Sequence, residues 1–338
     1  MRREAEDAGC NPEDRSRALV RAWLRGLLLL SLAGTAAAAE TWPTRPVRWI
    51  LSQPSGASVD IAARLLAERL SRAWGQQVVV DNRPGGQSVI GAQAAARAAG
   101  DGYNYFFATT APLVTNPFTF KSLPYDPVRD FVPVAKIGWA PFVVAVNAAV
   151  PARSVGELIA LARSRPGKLA FAHQGPRSLG GIISQALMLR AGVEFVQVPY
   201  TVQGIAIQDT IGGRVQVLML SSGTLTPFMK RGDLRPLAVT SARRVPGVEA
   251  PALAETFEGF DYVGWYALLA PRGAPAGIVR KVNRDLDRVL ADPDVAGRLR
   301  DFGIYTDGAG TPEELDRFLR AERDRWSKTV REIGIEPE

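Results

Sequence analysis

The chain has 338 residues, 46% of them hydrophobic and 22% charged, with a formal charge of +7. That length exceeds one ordinary core and predicts two lobes, and the composition is that of an ordinary globular protein. Lys and Arg are dispersed among acidic residues with no basic run interleaved with aromatics, which argues against nucleic acid as a partner; a modest positive balance suits a small anionic ligand.

The N-terminus carries an address. Arg21 and Arg25 precede an apolar run from Leu27 to Gly34, and Thr35-Ala36-Ala37-Ala38-Ala39-Glu40 follows with a small-residue cleavage pattern. The run is too short to span a bilayer and reads as a secretory signal peptide, residues 1–39, with a hydrophilic extension in front. The mature chain would begin near Glu40 and be periplasmic. The single cysteine, Cys10, lies upstream of the signal, so the mature protein would have no disulfide, catalytic thiol or thiolate metal site. No later stretch is long and apolar enough to be transmembrane.

Val47-Arg48-Trp49-Ile50-Leu51 reads as a strand, Ser52 to Ser58 as a small-residue loop, and the segment from Asp60, a candidate N-cap, as a helix carrying Ile61, Leu65, Leu66 and Leu70. Strand, loop, helix offers a ligand site at a strand's carboxyl end, where free N–H groups and the macrodipole favour an anion. Val78–Val80 is a second strand, Ile90–Ala99 a helix and Tyr103–Ala108 a third strand leading into Thr109-Thr110. The β-loop-α repetition predicts parallel sheet. Asn116–Pro133, with four prolines, reads as an irregular connection. Phe142–Val146 is a strand; Ser154 and Glu157 have capping-box spacing before a helix. Leu169–Ala172, Phe195–Tyr200, Val215–Leu220 and Leu237–Thr240 are strands, with helices over Ile182–Arg190 and Ile205–Ile211. Tyr262–Ala270 reads as a strand returning to the first lobe, followed by helices over Ile278–Ala291, Val295–Phe302 and from Thr311-Pro312 to Glu332.

The predicted architecture is α/β with two lobes, each a mostly parallel sheet flanked by helices, and a ligand cleft between them. Lobe 1 takes residues 40–141 and 268–338, and lobe 2 residues 142–267.

A series of short stretches carries a family likeness: Thr44-Arg45-Pro46-Val47-Arg48, Asp60 to Ala67, Asn82-Arg83-Pro84-Gly85, Ile90-Gly91-Ala92, Asp101-Gly102-Tyr103, Leu123 to Pro127, Phe131 to Ala135, Pro166 to Leu169, Val198-Pro199-Tyr200, Leu234 to Thr240 and Leu268 to Pro271. In this order and spacing they resemble the substrate-binding proteins of tripartite tricarboxylate transporters, the Bug receptor family. The resemblance implies a periplasmic two-lobe receptor that closes on a small carboxylate, held by backbone N–H groups, hydroxyls and water, with integral membrane permease subunits or a sensor kinase as partner. The chain departs from the family pattern where ligands are read. The first loop, usually F-A-A-G-G-x-S-D, is here Gln53-Pro54-Ser55-Gly56-Ala57-Ser58-Val59-Asp60. A glycine-rich turn has become Gln87-Ser88-Val89, and the usual Lys-Gly after Tyr200 is Thr201-Val202.

The expected ligand contacts are Gln53, Ser55, Gly56, Ala57, Ser58, Asp60, Thr109, Thr110, His173, Gln174, Ser178, Tyr200, Thr201 and Ser221, all near predicted strand ends. Arg177 could pair with a carboxylate, although an exposed Arg is its commoner fate. Trp139, Trp265 and Tyr266 could pack at a hinge or line the cleft. His173, the only histidine, suits hydrogen bonding to a carboxylate, but alone it makes no ordinary zinc site. No metal, cofactor or catalytic residue is expected: the chain lacks a nucleophile elbow, a P-loop, H-E-x-x-H and a dinucleotide fingerprint at the first turn. A hydrolase built on His173 is the enzyme alternative and a sensory adaptor the binding alternative. A monomer is the default for a receptor that opens and closes.

Overall fold

The structure, a computed structural model, describes residues 42–338. The signal peptide and Cys10 lie outside the described residues. The chain divides into two compact units after Thr44, and the second, Arg45–Glu338, holds all the described strands and helices.

Nine strands form one sheet: β1 (Val47–Leu51), β2 (Val78–Asn82), β3 (Asn104–Thr109), β4 (Phe131–Asn147), β5 (Ala170–His173), β6 (Val196–Pro199), β7 (Val217–Ser221), β8 (Leu234–Val239) and β9 (Val263–Pro271), in the order β2-β1-β3-β9-β4-β7-β5-β6, with β8 on β4. The helices are α1 (Ser58–Trp74), α2 (Val89–Ala96), α3 (Asn116–Thr119), α4 (Val155–Ser164), α5 (Leu179–Ala191), α6 (Gln203–Ile211), α7 (Ser222–Lys230), α8 (Ala276–Leu290), α9 (Pro293–Asp301) and α10 (Pro312–Glu332). Among the described residues no helix is long and apolar enough to cross a membrane.

The β-loop-α reading holds for β1, β2 and β3 and for β5, β6 and β7, which pair in parallel. The sheet is nonetheless mixed, because β4, β8 and β9 run antiparallel to their neighbours. The strand expected at Phe142–Val146 is the second half of β4, whose first half pairs with β9 from Phe131 to Pro141. Its prolines hid it, since proline cannot donate to a ladder. Pro133 sits at a register shift against β9, where the ladder is already interrupted. Pro141 sits where β4 leaves β9; from Phe142 onward it pairs with β7 and β8 instead.

At that exchange the buried Thr240 ties the strands together. Its Oγ1 accepts from Phe142 N at 2.9 Å, its N–H donates to Phe142 O, and its O accepts from Tyr262 N. Beyond it, side chains alternate between faces: Phe142, Val144 and Val146 join the large core with Phe171, Ile182 and Trp265, while Val143 and Ala145 pack with Leu218, Leu220 and Val239.

Two local expectations change. Asp60 is not the N-cap of α1; Ala57 holds that place and Asp60 is the third helical residue. The connection expected over Asn116–Pro133 begins with α3, which continues a wide helical turn over Ala111–Thr115, and its last residues already belong to β4. Helix α7 was not expected, because Gly223 and Pro227 lie inside it.

Thr240→Val keeps the shape but leaves Phe142 N, buried, without an acceptor. It should cost about 1–3 kcal/mol, measured by urea unfolding; an unchanged midpoint would show that the exchange does not depend on this hydroxyl.

Candidate functional site

A cavity of about 670 Å³ lies over the point where β4 changes partners, floored by Ala140 and Phe142 of β4 and by Gly264, Trp265 and Tyr266 of β9. Its walls are the loops after β1, β2, β3, β5, β6 and β7, all at carboxyl ends of the parallel strands. The size suits a small ligand, for which about 300–1,000 Å³ is usual. Among the described residues no Lys, Arg, His, Asp or Glu lines it.

Ten of the fourteen expected contacts line this cavity: Gln53, Gly56, Ala57, Ser58, Thr109, Thr110, Gln174, Ser178, Thr201 and Ser221. Ser55, Asp60, His173 and Tyr200 do not. Ser55 is exposed. Asp60 is buried beneath the first loop, where its carboxylate accepts from Gly56 N at 2.9 Å, Asn82 Nδ2 at 2.8 Å and Arg64 Nε at 3.1 Å. Asn82 also donates to Gln53 O, so the pair fixes the loop from behind. Burial alone would raise the Asp60 pKa, but the hydrogen bonds from Arg64, Gly56 and Asn82 and the Arg64 charge outweigh it and hold the carboxyl below its ordinary 3.8.

His173 is buried, and its Nδ1 accepts from Gly175 N at 3.0 Å. Burial lowers its pKa, opposed by the Gly175 hydrogen bond and the nearby Gln197 side chain, so the ring is neutral at pH 7. The Tyr200 hydroxyl donates to Asp209. Arg177 is bound to Glu338 and to the carbonyl of Glu336. Trp139 stacks near Tyr305 and donates to Asp307; Trp265 is buried, and its indole donates to Glu322. Among the described residues no group of His, Cys, Asp and Glu could hold a metal ion.

Lining residues differ in what they have left to offer. The Thr110 hydroxyl is spent on Trp265 N, and Ser178 caps α5 at Gly181 N. Ser52 and Thr109, by contrast, have buried hydroxyls without a partner among the described residues. Tyr266 lines the floor, and its burial pushes the hydroxyl pKa up to about 12. Ser52 was passed over in the sequence because a serine in a polar turn looks ordinary. Its burial depends on Gly91, where a Cβ would lie 2.6 Å from Ser52 Cβ; only glycine lets α2 come so near. Phe142 had no sequence signal at all, since it reaches the floor only through the exchange of pairing partners.

Five helices begin at this cavity. Of these only α5 is capped by a side chain; α1 begins at Ala57, α2 at Ser88, α6 at Val202 and α7 at Ser221 without one. Elsewhere α4, α9 and α10 are capped by Ser154, Asp292 and Thr311, whereas α3 and α8 have no side-chain cap. First-turn N–H groups lack helical acceptors. The arrangement therefore offers neutral hydroxyls, amides and helix-start N–H groups to an anion, with no convergent nucleophile and base.

A family profile described as "Tripartite tricarboxylate transporter family receptor" matches residues 62–335. BugT of Bordetella pertussis is 34% identical over 312 residues, covering 91% of this chain and 95% of BugT. Among solved structures, Rpa4515 of R. palustris with adipate is similar with a TM-score of 0.81 at 34% identity, covering 88% of this chain and 100% of that one. MatC of Rhodopseudomonas palustris with bound malate has a TM-score of 0.75 at 27% identity, covering 86% of this chain and 100% of MatC.

The depressed Asp60 pKa gives a signed prediction. Its contribution is complete above the ordinary value of 3.8 and is lost as pH falls through the lowered folded value. Asp60→Asn should therefore be less stable than the parent by about 1–3 kcal/mol at neutral pH, with the gap narrowing in strong acid. Urea unfolding at both pH values checks this; a gap independent of pH would contradict it.

Proposed function

The chain belongs to the tripartite tricarboxylate transporter receptor family, and from that premise we propose that it is a periplasmic receptor that closes on a small carboxylate and delivers it to integral membrane permease subunits. The family is one of solute receptors, not enzymes. The Rpa4515 structure is with adipate and the MatC structure has bound malate, and both support a dicarboxylate for this chain.

The observation that carries the reading is a cavity with no charged side chain among its described lining residues, entered by the uncapped starts of α1, α6 and α7. Each helix start is equivalent to roughly half a positive charge. Three of them balance one or two carboxylates better than three. The α1 start and the Ser52 and Thr109 hydroxyls would hold one carboxylate. The α6 and α7 starts, with Thr201 and Ser221, would face the other end.

The proposed lobes are 45–141 with 268–338, and 142–267, hinged where β4 and β9 cross. A ligand touching both favours the closed form by its differential affinity. Binding in the micromolar range, about −8 kcal/mol, is within reach of such contacts.

A thermal-shift panel of mono-, di- and tricarboxylates tests the reading. A dicarboxylate at about 100 times its Kd should stabilise the chain from Glu40 onward by about 2.7 kcal/mol, and no shift with any acid would overturn the proposal. Ser52→Ala should leave the free protein as stable as the parent, because the lost hydroxyl had no partner. It should weaken carboxylate binding about tenfold or more, read by calorimetry.

A further inference from the structure

One wall of the cavity is in a conformation that its own side chains disfavour. Gly85, Gly86, Gln87 and Ser88 have φ values of 118°, 53°, 50° and 75° in succession. Gln87 and Ser88 are the only non-glycine residues with positive φ among the described residues. For such residues this left-handed region is costly, and glycine would relieve it. The surroundings hold the turn in place. The fully buried Asn116 donates from Nδ2 to Gln87 O at 2.9 Å, Ser88 N donates to Gly85 O at 3.0 Å, and Gln53 Nε2 donates to Ser88 Oγ at 3.0 Å. At Gly85 the φ of 118° is one that side-chain-bearing residues rarely adopt. Strain sustained by a buried anchor beside a ligand cavity is strain kept for a purpose.

Gln87, Ser88 and Gln53 all line the cavity. Gln87 makes no side-chain hydrogen bond among the described residues, and Ser88 Oγ, already accepting from Gln53, keeps its own O–H to donate. A carboxylate only accepts, whereas an amide both donates and accepts. Gln87 is exposed on the cavity wall, so its amide carbonyl is available to accept from a donor on the ligand.

We propose that the left-handed turn Gly85–Ser88 is the specificity element of this cavity, presenting Gln87 and Ser88 to a hydroxyl substituent carried by the carboxylate ligand. The proposal rests on the receptor reading above and extends it from carboxylates in general to hydroxy acids. Gln87 and Ser88 are specificity residues; the helix starts hold the charge.

The experiment compares malate with succinate, which differ by one hydroxyl, on the mature protein by calorimetry, with melting temperatures measured alongside. The parent should prefer malate by about tenfold or more, since a site whose polar groups are left unpaired rejects the analogue lacking the hydroxyl. Gln87→Gly should melt a few degrees higher while the preference falls towards unity. Gln87→Asn, which tolerates positive φ and keeps an amide, should retain part of it. A merely structural turn would move the melting temperature and leave the ratio untouched, and that result overturns the proposal. Equal affinity of the parent for both acids overturns it as well, with the receptor reading intact. If neither these two acids nor any other carboxylate binds the parent, the receptor reading falls and this proposal falls with it.

Discussion

The structure depends on one strand changing partners. β4 runs with β9 as far as Pro141, then with β7 and β8 from Phe142. A strand can do this only where its ladder is already broken, and a proline without an N–H supplies that break. Thr240 closes the gap with side-chain and main-chain bonds to Phe142. On either side the parallel strands end at the same region, so loops from both halves of the sheet meet over the exchange. The cavity is thus a product of topology before it is a product of side-chain chemistry.

The chemistry then stems from what is missing. With no charged group in the described lining, the proposed recognition of an anion would fall to helix starts and hydroxyls, which are weaker individually but fixed in direction. The helices serving the cavity mostly begin uncapped; away from it α4, α9 and α10 carry Ser, Asp and Thr caps, while α3 and α8 do not. An uncapped start facing the cavity leaves N–H groups from which, in the proposed function, a bound carboxylate would accept. The same holds for the unpartnered Ser52 and Thr109 hydroxyls. Asp60, the acidic residue nearest to the loop, is neutralised by Arg64 and turned to bracing Gly56 and Asn82.

Much of this was legible in the sequence. Small-residue loops after apolar runs marked β1, β5 and β7 and the strand-end residues that line the cavity, because turn chemistry and periodicity are local signals. The mixed sheet was not legible, since pairing direction is set by long-range register. Asp60 looked like a cap because its residue type fits one, but Ala57 takes that position and Asp60 reaches back to Gly56. His173 lay at a strand end as expected, yet it is buried with Nδ1 committed to Gly175. Trp265 and Tyr266, read as hinge or cleft residues, line the cavity floor; Phe142 reaches it through the change of pairing partners along β4, which no local pattern encodes. The change from glycines to Gln87-Ser88 was visible in the sequence; that these residues stand in a left-handed turn was not.

The central claim is that this cavity holds an anion with neutral, oriented donors. Calorimetry of the mature protein with a short aliphatic dicarboxylic acid, and with its neutral diamide, tests it most directly. The two ligands match in length and shape and differ in charge. Saturable binding of the acid and none of the diamide is the expected result. Equal affinity for both would contradict the claim, because the helix starts would then contribute nothing to recognition.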